Sequence, residues 1–228
     1  MSKVHNVEEI ILHASRLFAQ HGYDNTSLRQ IAHEAKVGLG TINFCFQTKE
    51  SLFRAVIRRT IDEINDHRRA MLKAARSENW CTEAVLEAAI WPVISRVYSY
   101  DPVQRAKPYL VRWGTCGPTA VERYARKLND AISRELVDAI LEATPGLERR
   151  DAVWGYSVAM SAIYSRHVLD QRYDFLLGAS SACLDAGWAE ECTDRLVIFV
   201  ARGLQALAVP RGDRVGQFAR PFAGLFPQ

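Results

Sequence analysis

The chain has 228 residues, 48% hydrophobic and 24% charged, which is enough apolar material for one or two packed domains, and no window of about 18 apolar residues suits a membrane span. Its five cysteines are odd in number, widely spaced and without a C-x-x-C pair, which argues against a disulfide framework and for buried thiols in a reducing compartment. The formal charge of +3 is unevenly spread, because residues 1–75 carry 11 Lys and Arg against 8 Asp and Glu and the remainder 18 against 18, so the first third has a mild footprint for a polyanion.

The opening run, MSKVHNVEEIILHASRL, sets acids and histidine among its apolar residues, unlike a secretory leader, and cytoplasm is the expected location. Val7, Ile10, Ile11, Ala14, Leu17 and Phe18 follow the i, i+3, i+4, i+7 pattern of one buried helical stripe, which Gly22 ends. Ser27 opens a second helix with Gln30 as its capping-box partner and Leu28, Ile31, Ala32 and Ala35 facing inward. Gly38 and Gly40 interrupt the pattern, and Thr41 to Phe46 resumes it for little more than a turn. Thr48 then caps a much longer helix, from Lys49 to about Ala75, that connects to the rest of the chain.

Beyond SENWCT the expected helices are Thr82 to Tyr100 with a kink at Pro92, Pro102 to about Trp113 behind the Asp101 cap, and Pro118 to Ala143. Asp151 to about Arg172 and Thr193 to Leu207 follow, separated by the small-residue segment FLLGASSACLDAGWAEE. The tail VPRGDRVGQFARPFAGLFPQ reads as extended or poorly ordered. No run alternates apolar and polar residues as a strand would, so the chain is expected to be all-α.

The three early helices have the anatomy of a helix-turn-helix. Ala32 is the small residue where two helices cross, while Ile31, Ala35, Val37, Ile42 and Cys45 supply apolar contacts between them. Lys36 falls at the turn position that needs a left-handed backbone, a strain of about 1 kcal/mol on a non-glycine residue. Leu39, Thr41, Asn43 and Phe44 are then forced outward, where they suit a major groove: apolar side chains meet thymine methyl groups, and Asn can bond adenine in bidentate fashion.

Ser27 to Leu52 resembles the DNA-binding signature of the TetR-type (tetracycline-repressor-like) transcriptional regulators. The resemblance is carried by TSLRQIA after GYDNT, by VGLGTINFCF, and by TKESLF at the start of the fourth helix. It implies a homodimer with an N-terminal three-helix helix-turn-helix DNA-binding domain, residues 1–48, and a connecting helix, 49–75. A larger C-terminal helical domain, 76–210, would bind a small effector and pair with its twin, ahead of a tail at 211–228. By the same resemblance Thr26 and Ser27 sit where relatives contact phosphate, Thr41 matches the recognition-helix threonine, and Lys49 matches a phosphate-binding basic residue; Arg29 is a secondary DNA candidate. Asn43, Cys45 and Lys36 stand where relatives usually place Tyr, His or Tyr, and Gly; with Asn43 and Phe44 on the reading face, the operator sequence is expected to be this chain's own while the mode of binding is shared. The expected partners are palindromic double-stranded DNA, a second copy of the chain and a small apolar or aromatic effector.

All five tryptophans and seven of eight tyrosines lie beyond residue 79, as an effector pocket or a well-filled core requires. Trp91, Tyr98, Trp113, Tyr124, Trp154 and Met160 are the candidate lining, with Arg112 for an anionic ligand group. By the same resemblance the last two helices are the candidate dimer elements, and Val197, Val200 and Leu204 offer an apolar face there. GYSVA at residues 155–159 resembles a nucleophile elbow, but helical pattern surrounds Ser157 on both sides where that chemistry needs a strand before it. The histidines have no metal-ligand spacing, so no cofactor, metal or catalytic residue is expected. A ligand sensor without specific DNA binding is the main alternative, and a serine hydrolase the remote one.

Overall fold

The computed structural model describes residues 3–116, 120–177 and 186–209, and among them every regular element is a helix. In chain order these are α1 Lys3–His21, α2 Leu28–Glu34, α3 Leu39–Phe46, α4 Lys49–Glu78, α5 Thr82–Val97, α6 Pro102–Cys116, α7 Ala120–Ala143, α8 Arg149–Leu177 and α9 Ala186–Ala208. The tail from residue 210, and the middle of the small-residue segment at 178–185, lie outside the described residues.

The boundaries follow local chemistry. Gly22 takes φ +78° after α1, and its N–H donates to the Phe18 carbonyl at 3.0 Å, a left-handed cap that glycine adopts without strain. Ser27 and Gln30 form the expected capping box: the Ser27 hydroxyl accepts from the Gln30 N–H at 3.2 Å, and the Gln30 side chain accepts from the Ser27 N–H at 2.7 Å. Thr48 caps α4 by accepting from the Ser51 N–H at 3.0 Å, and Asp101 accepts from the Val103 N–H at 2.9 Å to start α6. Pro92 is accommodated inside α5, where it removes the donor that would serve the carbonyl one turn back.

Two apolar cores form. The first takes Ile10, Ala14 and Phe18 from α1, Ile31 from α2, Ile42 from α3 and Leu52, Phe53 and Ile57 from α4, and it continues into Leu110 and Val111 of α6 and Val121 and Ala125 of α7. Phe18 and Phe53 meet edge to face, with centroids 4.9 Å apart. The second core gathers the far end of α4, including Ile64 and Leu72, with α5, α7, α8 and α9. Helix α4 therefore belongs to both, and α6 docks on the first.

Where the two cores meet, charge is gathered around Glu63 of α4. Its carboxylate accepts from Lys107 of α6 at 2.6 Å and from Arg59 at 3.3 Å, and Arg59 reaches on to Glu8 of α1 at 2.5 Å. Burial would raise the Glu63 pKa, but hydrogen bonds and charge from Lys107, then Arg59, outweigh it and hold the group below its ordinary 4.5. A depressed carboxyl contributes stability above the unfolded-state pKa and loses it as pH falls through the folded value. Glu63→Gln should therefore lower unfolding stability at pH 7 by about 1–2 kcal/mol, less than for a fully buried pair because 35% of the Glu63 side chain stays exposed. In thermal melts the variant and wild-type curves should converge as the pH is taken below 4.5.

Candidate nucleic-acid interface

Helices α2 and α3 cross through Ile31 and Ile42, both with no exposed surface, and Ala32 is buried beside them. Ala35 and Val37 pack half-buried against the same core. The turn between the helices bends as the spacing requires, with Lys36 at φ +52°. With Ile42 held inside, the rest of α3 is sorted by the 100° step per residue: Asn43 and Phe44 point outward, Phe44 being 70% exposed, and Leu39, Thr41 and Cys45 lie half-buried at the flanks. Gly40 is also on the open face, and a Cβ added there would meet nothing within 4 Å, so the protein's own packing does not demand glycine.

The phosphate candidates divide. Ser27 and Arg29 are exposed at the start of α2. Lys49 begins α4, and its ammonium donates to the Asp24 carbonyl at 3.3 Å while lying 4.3 Å from the Tyr23 ring centroid, which leaves ammonium protons for a further acceptor. Burial, then the charges of Glu50 and Asp24, push the Tyr23 phenol above its ordinary 10.0, so it is neutral beside the lysine at neutral pH. Thr26 does not fit its expected role. It is buried, with its hydroxyl 2.7 Å from the Gly22 carbonyl and 3.2 Å from the Leu17 carbonyl, where it ties the loop to the end of α1. Tyr23, which props Lys49, was missed; a lone tyrosine in the turn after α1 was the available signal.

The expected effector residues do not share one cavity. Met160 lines a half-open cavity of about 140 Å³ between α4, α5, α6, α7 and α8. Tyr98 borders a separate apolar cleft of about 360 Å³ between α5, α8 and α9, its hydroxyl 3.6 Å from the Cys192 sulfur. Tyr124 lies near the first core, its ring centroid 5.9 Å from the Arg54 guanidinium, and Trp91 packs half-buried on the second core. The side chains of Arg112 and Trp113 lie outside the described residues. Trp154 is a surface residue, 62% exposed, because α8 turns Ala152, Gly155, Ala159 and Ile163 inward and leaves position 154 on the opposite side.

The candidate dimer face is corrected by the same geometry. Val197, Val200 and Leu204 are buried in the second core, whereas Ile198 and Phe199 stand out at 57% and 74% exposure beside Trp154. Helix α9 is apolar on two sides, and only one is used internally. Ser157, the residue of the elbow-like GYSVA, sits in the middle of α8 with its hydroxyl donating to the Val153 carbonyl at 2.8 Å.

The architecture is that of an all-helical helix-turn-helix protein with a second helical core behind the reading helices. Residues 10–56 match the family described as bacterial regulatory proteins, tetR family. The chain is 34% identical over 88 residues to the HTH-type transcriptional repressor ComR of Escherichia coli, a match that spans 39% of each protein. Its fold is similar to a FadR transcriptional regulator from Bacillus subtilis solved with stearoyl-CoA, with a TM-score of 0.64 at 17% identity over 86% of this chain and 98% of that one. It is likewise similar to a TetR-family regulator structure from Mesorhizobium loti, with a TM-score of 0.61 at 17% identity over 89% and 98%.

Since Gly40 has no packing reason to be glycine, Gly40→Ala separates folding from recognition. Chemical denaturation should show a gain of about 0.5–1 kcal/mol, as for any Gly-to-Ala change inside a helix. Fluorescence anisotropy should show duplex affinity falling by about tenfold, or 1.4 kcal/mol, if this face approaches a nucleic-acid backbone.

Proposed function

We propose that the chain is a homodimeric, sequence-specific DNA-binding transcriptional regulator, a repressor released from a palindromic operator when a small molecule enters its C-terminal core. The observation that carries this reading is the one-sided burial of α3: Ile42 is fully enclosed while Asn43, Phe44 and Gly40 face outward from a helix of eight residues. Such a turn has no use for an exposed phenylalanine in water, and every use for it against base edges. The family match and the repressor relative support the same reading.

In this division of labour residues 1–48 read DNA, 49–75 transmit, and 76–210 sense and pair. Ser27, Arg29 and Lys49 position the phosphate backbone, while Leu39, Thr41, Asn43 and Phe44 face the bases. One such helix covers only a few base pairs, so two-fold symmetry is needed for a specific site. The apolar surface of Trp154, Ile198 and Phe199 on α8 and α9 supports pairing there. The effector enters the cavity of about 140 Å³, whose walls include Ile61 and Val111 of the first core as well as Ile64 and Val93 of the second. A molecule seated there touches both cores and favours one arrangement of α4 against α6. Regulation rather than catalysis is the role this supports, in the cytoplasm where the DNA is.

The experiment is titration of the full chain against genomic fragments, followed by the recovered site. Asn43→Ala should change the preferred base at one position by about 1–3 kcal/mol. Lys49→Ala should weaken all duplexes alike and lower the salt slope by about one unit. A sensor without specific DNA binding would recover no site at all. In sedimentation runs Phe199→Asp should raise the dimer dissociation constant about thirtyfold or more, since it places a charge at the centre of the apolar face.

A further inference from the structure

The cavity between α4 and α8 contains a feature that an apolar pocket does not need. Arg68 of α4 is 4% exposed and borders the cavity with Asn129, Tyr156 and Met160. Its Nε donates to the Ala89 carbonyl at 3.1 Å, one η nitrogen donates to Asn65 Oδ1 at 3.2 Å, and among the described residues the other meets only the Met160 sulfur at 3.5 Å, a weak acceptor. Five N–H donors thus meet three acceptors, and each η nitrogen retains a proton for something else. Among the described residues no carboxylate pairs with Arg68.

A second guanidinium adds to the imbalance. Arg96 of α5 is also buried; its η nitrogens reach the Pro92 carbonyl and His67 Nδ1, and its Nε has no hydrogen-bond partner among the described residues. Burial pushes this group below the ordinary guanidinium range; Glu63 opposes the shift and the Arg68 charge adds to it. Glu63 is itself held by Lys107 and Arg59. Among the described residues neither Arg68 nor Arg96 is hydrogen-bonded to a carboxylate, and buried guanidinium protons left without an acceptor are what an anion would satisfy.

We propose that the effector is a small organic anion, a carboxylate on a compact apolar body, whose carboxylate is bound by Arg68 while the body fills the space among Ile61, Ile64, Val93 and Val111. The volume sets the size: a cavity of about 140 Å³ takes a body near that of a benzene ring, as an engineered cavity of about 150 Å³ does. A planar guanidinium with a free proton on each η nitrogen matches the two oxygens of a carboxylate. This assignment rests on reading the cavity as the effector site, and it adds the charge and size of the ligand.

The test is calorimetric titration of the full-length protein with benzoate and with benzamide, its neutral counterpart of the same shape. Benzoate should bind about thirtyfold or more tightly than benzamide, and Arg68→Met should abolish that preference. Because Arg68→Met replaces a charge lacking a counter-ion with an apolar side chain of similar length, its melting temperature should match or exceed that of the unliganded wild type, whereas a purely structural arginine would make the variant melt earlier. Equal affinity for the two compounds, no benzoate binding to the wild type, or a preference that survives in Arg68→Met would each overturn the proposal. Release of the recovered operator is measured separately: benzoate that binds through Arg68 yet leaves DNA bound would sink the ligand-release reading and leave the anion site standing.

Discussion

The contact between Ile31 and Ile42 is the constraint on which the reading surface depends. Helix α3 has eight residues, too few to persist alone, so its existence and its angle come from what it buries. It buries little: Ile42 is its only fully enclosed side chain. The backbone on either side is bent to deliver that residue inward, with Lys36 at φ +52° before the helix and Gln47 at φ +60° after it. Neither is glycine, and each left-handed residue costs about 1 kcal/mol. The strain is tolerated because losing the Ile42 contact would cost more, and because the same rotation holds Phe44 and Asn43 outward.

Behind this surface, α4 carries the mechanical argument. Thirty residues of helix span about 45 Å, with Phe53 and Ile57 in one core and Ile64 and Leu72 in the other. Helix α6 presses on it from the side, apolar through Leu110 and Val111 and ionic through Lys107. A packed core transmits displacement rather than absorbing it, and the cavity wall at Ile61 and Val111 belongs to the same core that holds Ile42. Glu63 lies at the same crossing and joins α4 to α6 directly and to α1 through Arg59. The crossing is thus held partly by charge, and ions and protons reach it more readily than they reach the apolar cores on either side.

Much of this was readable before any coordinates. The helices of the first third could be placed because their apolar spacing, the Ser27 and Gln30 capping box and the left-handed turn at Lys36 agree with one another, and local agreement is what makes a short segment fold one way. Of the outward set of α3, Asn43 and Phe44 followed from the inward one, whereas Leu39 and Thr41 lie half-buried at its flanks. Thr26 was misread because a threonine before a helix has two uses, a contact outside the protein and a partner for carbonyls at the end of the previous helix, and sequence does not distinguish them. Helix α9 was misread for a different reason. Its apolar residues fill two faces, so periodicity identified Val197, Val200 and Leu204 as a stripe without saying whether the stripe met the core or a partner. Arg68 was hidden in HRRA, which resembles a solvated charged run; its place one turn after Ile64 and one before Leu72 was the signal that it lies on the buried stripe.

The residues that folding does not explain are few and they share a property. Gly40 is glycine where alanine would fit and strengthen the helix. Phe44 is exposed where a polar residue would be more soluble, and Arg68 is charged where an apolar side chain would suit the core. Each departs from what its local environment favours, and departures of that kind concentrate where a protein meets something other than itself. Gly40 and Phe44 occupy one short helix, and Arg68 borders the cavity between the two cores. Between them, Ile61, Ile57 and Phe53 of α4 belong to the same core that encloses Ile42. A molecule that neutralises Arg68 would therefore act on the helix from which Gly40 and Phe44 project.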